Sequence, residues 1–387
     1  MAESSTEESR QHELVISPST ALVPELEISL PDEIAPGHPL FAAEQASRVY
    51  ASESNSAATR RAYNSDWWDF VSWCQSKGQQ FLPASPDTVR LYITELAQRK
   101  QTTKKKNKEG AAACYTSTAT ITRRLTSIAA AHKRATPPQP NPADLRNNRL
   151  LADTYHGICK SRGKKQEGKA PITLELLRKM VNHCDGTLAA SRDRALLLVG
   201  FAGGLRRSEL AAIKVEDIHE HNRGVTIFVP VSKTDQERQG REVELPFGCQ
   251  PDTTPLAELI CPVRALRQWL KQSGIKTGPV FRKVGHAQHV QTKINDETAQ
   301  IDSNTIGRIF KRALRRANPT REELQGKKLE DYGAHSLRAG FCTVAYDNGT
   351  DELSIMRQTG HTSRETVRKY IRAEQNARLK AAYNLGM

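Results

Sequence analysis

Several short segments of this chain gather residue types that bind or move phosphoryl groups. Residues 203–210, Gly-Gly-Leu-Arg-Arg-Ser-Glu-Leu, set Arg206 and Glu209 three apart, the spacing of neighbours on one helix face. A guanidinium there can grip a phosphate while the carboxylate steadies it; the same pair also reads as a surface ion pair. Residues 333–341, Gly-Ala-His-Ser-Leu-Arg-Ala-Gly-Phe, place His335 and Arg338 one turn apart among small residues, which let a phosphate backbone come close. Satisfied structural residues would look the same. Gly360-His361 follows, and nine residues beyond that histidine stands Tyr370, within Arg-Lys-Tyr-Ile-Arg, where a lone tyrosine could equally be packing. Lys233 sits at a strand turn in Val-Ser-Lys-Thr.

Taken singly these segments decide nothing, but their order does. Arg206 with Glu209, Lys233, His335 with Arg338, Gly360-His361 and Tyr370 together resemble the tyrosine recombinase, or phage integrase, family. The resemblance covers about residues 172–387 by motif and 46–160 by layout, since the family places a helical core-binding domain before its catalytic domain. The chain looks most like the simple, two-domain, Cre-type members, from the short stretch after Tyr370 and the absence of a basic, β-rich N-terminal module. Two positions depart from familiar patterns. His361 stands where Cre-type members have tryptophan, although histidine is common in the wider family. Thr359 stands where many relatives have leucine, a difference without visible chemical consequence in the sequence.

The chemistry implied is phosphoryl transfer. A phosphodiester is anionic, and its transition state gathers further charge on the non-bridging oxygens, which fixed cations must answer. Guanidiniums suit this because the planar fork binds two oxygens and stays charged, so Arg206 and Arg338 are the expected clamps. A tyrosine hydroxyl has an ordinary pKa near 10 and needs a base or nearby cations to act as nucleophile. By the resemblance, Tyr370 attacks to give a 3′-phosphotyrosine and a free 5′-hydroxyl, so ATP is unnecessary. Lys233 then looks like the general acid for the leaving oxygen, with His335 assisting proton transfer, His361 donating to a non-bridging oxygen and Glu209 in support. No cofactor and no metal are implied, because the cationic work is assigned and no carboxylate cluster has magnesium-like spacing.

These residues need a scaffold, and apolar periodicity supplies one. From about Thr59 a helix is predicted with Tyr63, Trp67, Phe70, Val71 and Cys74 inward. Ser85-Pro86-Asp87 opens a second, which buries Val89, Tyr92, Ile93 and Leu96. A third carries Ile121, Leu125, Ile128 and His132, and a fourth packs Leu150, Leu151, Tyr155 and Ile158. Four amphipathic helices make a small helical domain over 46–160. Residues 161–171 read as a basic linker. Beyond it, helices are predicted near 173, 191–201, 207–213, 262–272, 305–317, 335–347, 351–359 and from 363, with paired strands at 225–229 and 242–245 around the loop 232–240. The expected fold is therefore mainly α with a small antiparallel sheet: a four-helix core-binding domain, then a mixed α+β catalytic domain over 172–387 of the DNA breaking-rejoining type.

Charge points to the same partner. Met1–Gln45 holds nine acidic residues against Arg10 and reads as a disordered acidic tail, so the net +14 of the whole chain leaves +22 on the rest. A folded region this basic meets a polyanion. On the N-terminal helices Arg60, Arg61, Arg123, Arg124, Lys133 and Arg134 can lie along phosphates or merely be solvated, and Lys104, Lys105 and Lys106 form a basic loop. Seven scattered cysteines suggest neither disulfides nor a zinc site. No apolar run is long enough for a membrane span and no secretory signal is visible, so a soluble, intracellular, cytoplasmic protein is expected, nucleoid-associated if bacterial. The resemblance implies double-stranded DNA with an inverted-repeat core site as partner, and a homotetramer on two duplexes that exchanges strands through a Holliday junction. Two other readings remain at this level: a type IB topoisomerase-like enzyme that only relaxes DNA, and a catalytically silent DNA-binding protein of the same fold.

Overall fold

The computed structural model describes residues 38–43, 45–47, 57–99, 115–135, 137–162, 168–182, 186–230, 240–248, 260–285, 288–291 and 299–370. Lys104, Lys105, Lys106, Lys233, the predicted linker around 163–167 and the stretch beyond Tyr370 lie outside them, as does most of the predicted acidic tail. The chain divides into two compact units, Met1–Lys165 and Gln166–Met387.

The described core of the first unit is formed by four helices: α1 (Ala57–Ser76), α2 (Pro86–Gln98), α3 (Thr118–Arg134) and α4 (Arg149–Arg162). Two of the starts are set by hydroxyl caps. Ser85 Oγ accepts from the Thr88 amide at 3.0 Å and Ser117 Oγ from the Thr120 amide at 3.2 Å, each satisfying a donor with no partner inside its helix. α1 packs on α3 and α2 on α4, burying Trp67, Phe70, Tyr92, Ile93, Leu96, Ile121, Ile128 and Leu151. Phe70 meets Tyr92 edge to face at 5.0 Å. One expected core residue differs: Leu150 is 57% exposed, because α4 begins only at Arg149 and its inward face starts with Leu151.

The second unit is organised around one helix. It contains α5 (Leu174–Asn182), α6 (Leu188–Ala202), α7 (Arg207–Ala212), a sheet of β1 (Ile218–His221), β2 (Gly224–Val229) and β3 (Arg241–Pro246), then α8 (Pro262–Ser273), α9 (Ser303–Arg316), α10 (His335–Asp347), α11 (Glu352–Thr359) and α12 (Arg364–Tyr370). α6 is apolar nearly all round, Ala195 to Val199 being buried, so it must be covered on several sides, and α8 and α10 both pack on it. The strands form an antiparallel meander in the order β1-β2-β3, with Ile227 opposite Val243 and Val225 opposite Leu245. β1 escaped the sequence reading because Ile-His-Glu-His carries a single apolar residue. The fold is thus mainly helical with a small antiparallel sheet. Among the described residues no helix is long and apolar enough to cross a membrane.

Candidate active site

Six of the seven residues singled out for chemistry come together at one end of α10, α7 and α11. Arg206 reaches that place differently from expectation. It does not share a helix face with Glu209: its backbone is extended (φ −71°, ψ 150°) and it stands just before α7 as the cap residue. Its amide donates to Glu209 Oε2 at 2.9 Å while its Nη1 donates to Glu209 Oε1 at 2.6 Å. A carboxylate three residues into a helix reaches back to the cap amide, and here it holds the arginine side chain as well. The turn that makes this possible is Gly204, at φ +55°, where a Cβ would lie 2.8 Å from Thr359 Cγ2.

Arg338 emerges from the first turn of α10 into the protein interior and is wholly buried. Its Nη1 donates to the carbonyls of Gly204 at 2.7 Å and Thr359 at 2.6 Å, which tie the α6–α7 turn to the end of α11. Its Nε and Nη2 are buried without a hydrogen-bond partner. Each such orphan costs about 1–3 kcal/mol, so a guanidinium left in this state is arranged for a partner that arrives from outside. Burial, and then the positive charge of Arg206, push the Arg338 pKa down to about 10. The charge of an anion in the site would oppose this shift and favour the guanidinium form.

Tyr370 closes the arrangement. α12 is anchored by Val367, which packs with Cys342 and Ile355, and Thr343 Oγ1 of α10 donates to the Tyr370 carbonyl at 3.1 Å. The half-buried phenol places its Oη 2.7 Å from His335 Nε2, and its ring lies 5.2 Å from that of His361. Burial raises the Tyr370 pKa, and the nearby Arg338 works against that. Desolvation, then the charges of Arg338, Arg206 and Arg207, hold His335 below the usual histidine range, so at neutral pH its ring is a neutral base. His361 is buried beside the same cations and its pKa is pushed down to about 3.

Three groups here were missed by sequence reasoning. Arg241 donates through Nη2 to Glu209 Oε2 at 2.8 Å, so Glu209 lies between two guanidiniums. Burial works to raise the pKa of that carboxyl, but Arg241 and the hydrogen bonds from Arg206 outweigh it and hold the group ionised below its ordinary range. A signal existed: Arg241 shares the parity of Val243 and Leu245, which makes it inward-facing and in need of an anion. Gln358 donates to the Glu244 carbonyl at 2.7 Å and locks α11 to β3. Thr359, read as inconsequential, places its hydroxyl 2.7 Å from His361 Nδ1. A hydroxyl in the last helical turn two residues before a histidine was its only mark.

The N-terminal basic residues belong to the other unit. Arg60, Arg61 and Lys133 are exposed. Arg123 pairs with Asp66 at 2.9 Å and keeps 47% of its side chain in solvent. Arg124 is mostly buried and bonds to Asp69 and to Tyr92 Oη. Among the described cysteines Cys74, Cys261 and Cys342 are buried, and no group of residues there could hold a metal ion.

Residues 170–377, the stretch containing every element of this site, match the Phage integrase family. The chain belongs to the phage integrase family. Its similarity to an integrase/recombinase xerD homolog of Selenomonas ruminantium is 35% identity over 321 residues, 82% of each chain. Recombinase cre of Escherichia phage P1 is 22% identical over 325 residues, 81% of this chain and 85% of that one. Among solved structures, a lambda integrase dimer bound to a COC′ core site aligns at 14% identity with a TM-score of 0.52, over 85% of this chain and 93% of that one, a likeness of fold. As a phage integrase family member, the chain is a tyrosine recombinase, an enzyme that transfers DNA strands in site-specific recombination.

Proposed function

We propose that this recombinase cleaves and rejoins double-stranded DNA through a covalent link at Tyr370, without ATP or a metal ion. The observation that carries the reading is the Tyr370 hydroxyl at 2.7 Å from a neutral imidazole, beside a fully buried arginine whose Nε and Nη2 have no hydrogen-bond partner. The scissile phosphate occupies the space before Arg338, where Nε, Nη2 and the Arg206 guanidinium meet its non-bridging oxygens. His335 accepts the phenolic proton as the Tyr370 oxygen attacks phosphorus. The O–P bond to tyrosine forms, the P–O5′ bond breaks, and the departing 5′-oxygen takes a proton from Lys233. Bond energy is kept in the 3′-phosphotyrosine, so attack by another strand's 5′-hydroxyl restores DNA and frees the enzyme.

Glu209 and Arg241 keep Arg206 in place, and His361 donates to a non-bridging oxygen. In this reading the helical region 46–160 and the catalytic region 172–387 together clamp one half-site of an inverted repeat. Arg60, Arg61, Lys104, Lys105, Lys106, Arg123, Arg124 and Lys133 supply phosphate contacts to the first region. Four protomers join two duplexes and pass through a Holliday junction, inside the cell where the DNA lies. The named relatives, an integrase/recombinase xerD homolog and the recombinase cre, support recombination as the activity that this assembly would serve.

The test begins with a duplex selected by this protein from a random pool. Nicked opposite the cleavage position, it should trap a covalent protein–DNA adduct that is absent in Tyr370→Phe. Two copies on one plasmid should yield excised or inverted products. Bound duplex that never becomes covalently attached would overturn the reading, and relaxation of supercoils without any rearranged product would overturn the recombination part of it. For Lys233→Ala, a 5′-thio substitution at the scissile phosphate should restore cleavage, because the better leaving group needs no proton.

A further inference from the structure

Thr359 ends α11 and is wholly buried. Its hydroxyl oxygen lies 2.6 Å from the Ile355 carbonyl oxygen and 2.7 Å from His361 Nδ1. A threonine that bonds back to the carbonyl four residues earlier is common in helices. A second contact to an imidazole nitrogen is different, because the hydroxyl has one proton and two acceptors within reach. If it donates to Ile355, its oxygen accepts from Nδ1–H, and the neutral ring is left with a bare Nε2. If it donates to Nδ1, the ring's own proton sits on Nε2. Only the second state offers a donor to a phosphate oxygen, and among the described residues the His361 ring has no other hydrogen-bond partner that would set the choice.

The fold holds both partners of this contact. Gly360 adopts φ +67° as the left-handed cap of α11 and so turns His361 back over the end of its own helix. The Thr359 side chain is confined by the Gly204 turn, whose missing Cβ leaves room for Cγ2. The Thr359 carbonyl meanwhile accepts from Arg338 Nη1 at 2.6 Å. One residue therefore touches two of the three groups assigned to the non-bridging oxygens, Arg338 through its backbone and His361 through its hydroxyl.

We propose that Thr359 is a positioning residue whose hydroxyl donates to His361 Nδ1 and so holds the ring in the Nε2–H tautomer that meets the scissile phosphate. This rests on the reading of His361 as a phosphate donor.

Two-bond proton–nitrogen NMR of the histidine rings in the full chain, with inorganic phosphate as the oxyanion probe, reads the tautomer directly. His361 should carry its proton on Nε2 in the wild type and in Thr359→Ser. In Thr359→Val, which keeps the shape and loses the hydroxyl, the proton should shift toward Nδ1. Cleavage of the selected nicked duplex should then fall about tenfold, less than the roughly 10²–10³ expected for deleting an oxyanion donor outright, while duplex binding is retained. Wild-type His361 with its proton on Nδ1 in phosphate overturns the proposal without any variant, so a Thr359→Val chain that fails to fold does not protect it. It is equally overturned if Thr359→Val keeps the Nε2–H form, or if Thr359→Ser cleaves as slowly as Thr359→Val. A tautomer that shifts while cleavage is unchanged instead removes His361 from phosphate contact, which separates failure of that reading from failure of this one.

Discussion

Each of the two units buries an arginine next to a tyrosine hydroxyl, and the two sites differ in their charge balance. In the N-terminal unit Arg124 touches Asp69 and Tyr92 Oη, Asp66 lies 3.6 Å away, and Tyr92 Oη donates to Asp69 at 2.8 Å. Two carboxylates there, Asp66 and Asp69, face the guanidiniums of Arg124, Arg123 and Arg99, and the last two of these reach solvent, with 47% and 40% of their side chains exposed. In the catalytic unit Glu209 pairs with both Arg206 and Arg241, while the wholly buried Arg338 bonds to carbonyls alone and keeps Nε and Nη2 without a hydrogen-bond partner. Both tyrosines have pKa values raised by burial. The difference that separates a structural cluster from a reactive one is the missing anion, since a surplus of buried positive charge is stable only when another molecule supplies its counterpart.

The strongest challenge to that contrast is to exchange the roles of the tyrosines. Tyr370→Phe should eliminate covalent adduct formation and leave duplex binding in place, whereas Tyr92→Phe should cleave normally and show only a loss of stability. Adduct in Tyr370→Phe, read on a denaturing gel, would break the comparison at its centre. Next come the arginines. Arg338→Met should slow cleavage by about 10²–10³-fold or more, and chemical denaturation should show a smaller stability loss than for Arg124→Met. The latter takes one of two cations from each of Asp66 and Asp69 and should cost about 1.5–3 kcal/mol. Equal losses would mean that the two clusters are electrostatically alike.

Glu209→Gln sharpens the same point. Cleavage should drop about tenfold as Arg206 and Arg241 lose their shared anchor, an effect of one charge-assisted hydrogen bond. The acid limb of stability should change too. Glu209 has a depressed folded pKa, so its contribution is complete above the ordinary value of 4.5 and is lost as pH falls through the lower folded value. In Glu209→Gln that part of the slope should vanish.

The smallest expected effect lies in the N-terminal unit. His132 is buried, accepts at Nε2 from the Ala84 amide at 2.9 Å and contacts the Ile128 carbonyl through Nδ1 at 2.9 Å. Burial lowers its pKa from 6.5. Its neutral form therefore stabilises the fold above that value, and stability should decline as pH drops below about 6.5. Denaturation between pH 7 and 5 should show this in the wild type and less of it in His132→Gln.

Much of the site was legible in the sequence because several of its residues lie on local elements whose periodicity is readable. His335 and Arg338 fall one turn apart on a helix that starts where the small-residue segment predicts, and Asp351 caps α11 as its position suggests. The errors share one cause. Arg206 was placed on a helix face because spacing alone cannot tell a cap from a first turn. Arg241 was passed over because its partner Glu209 lies 32 positions away, and Leu150 was placed inside because periodicity does not say where a helix begins. The meaning of Thr359 depends on a left-handed glycine that folds the chain back upon it.

Residue types and their order by themselves determined the family, the chemistry available to it and most helices, since hydrophobic period and functional-group identity are properties of the chain read locally. The tertiary structure alone decided which cations share an anion, which guanidinium is left with open N–H groups and which nitrogen of His361 is held. Those outcomes depend on contacts between positions up to 154 residues apart, where burial and distance, not sequence neighbours, set the energy of a charge.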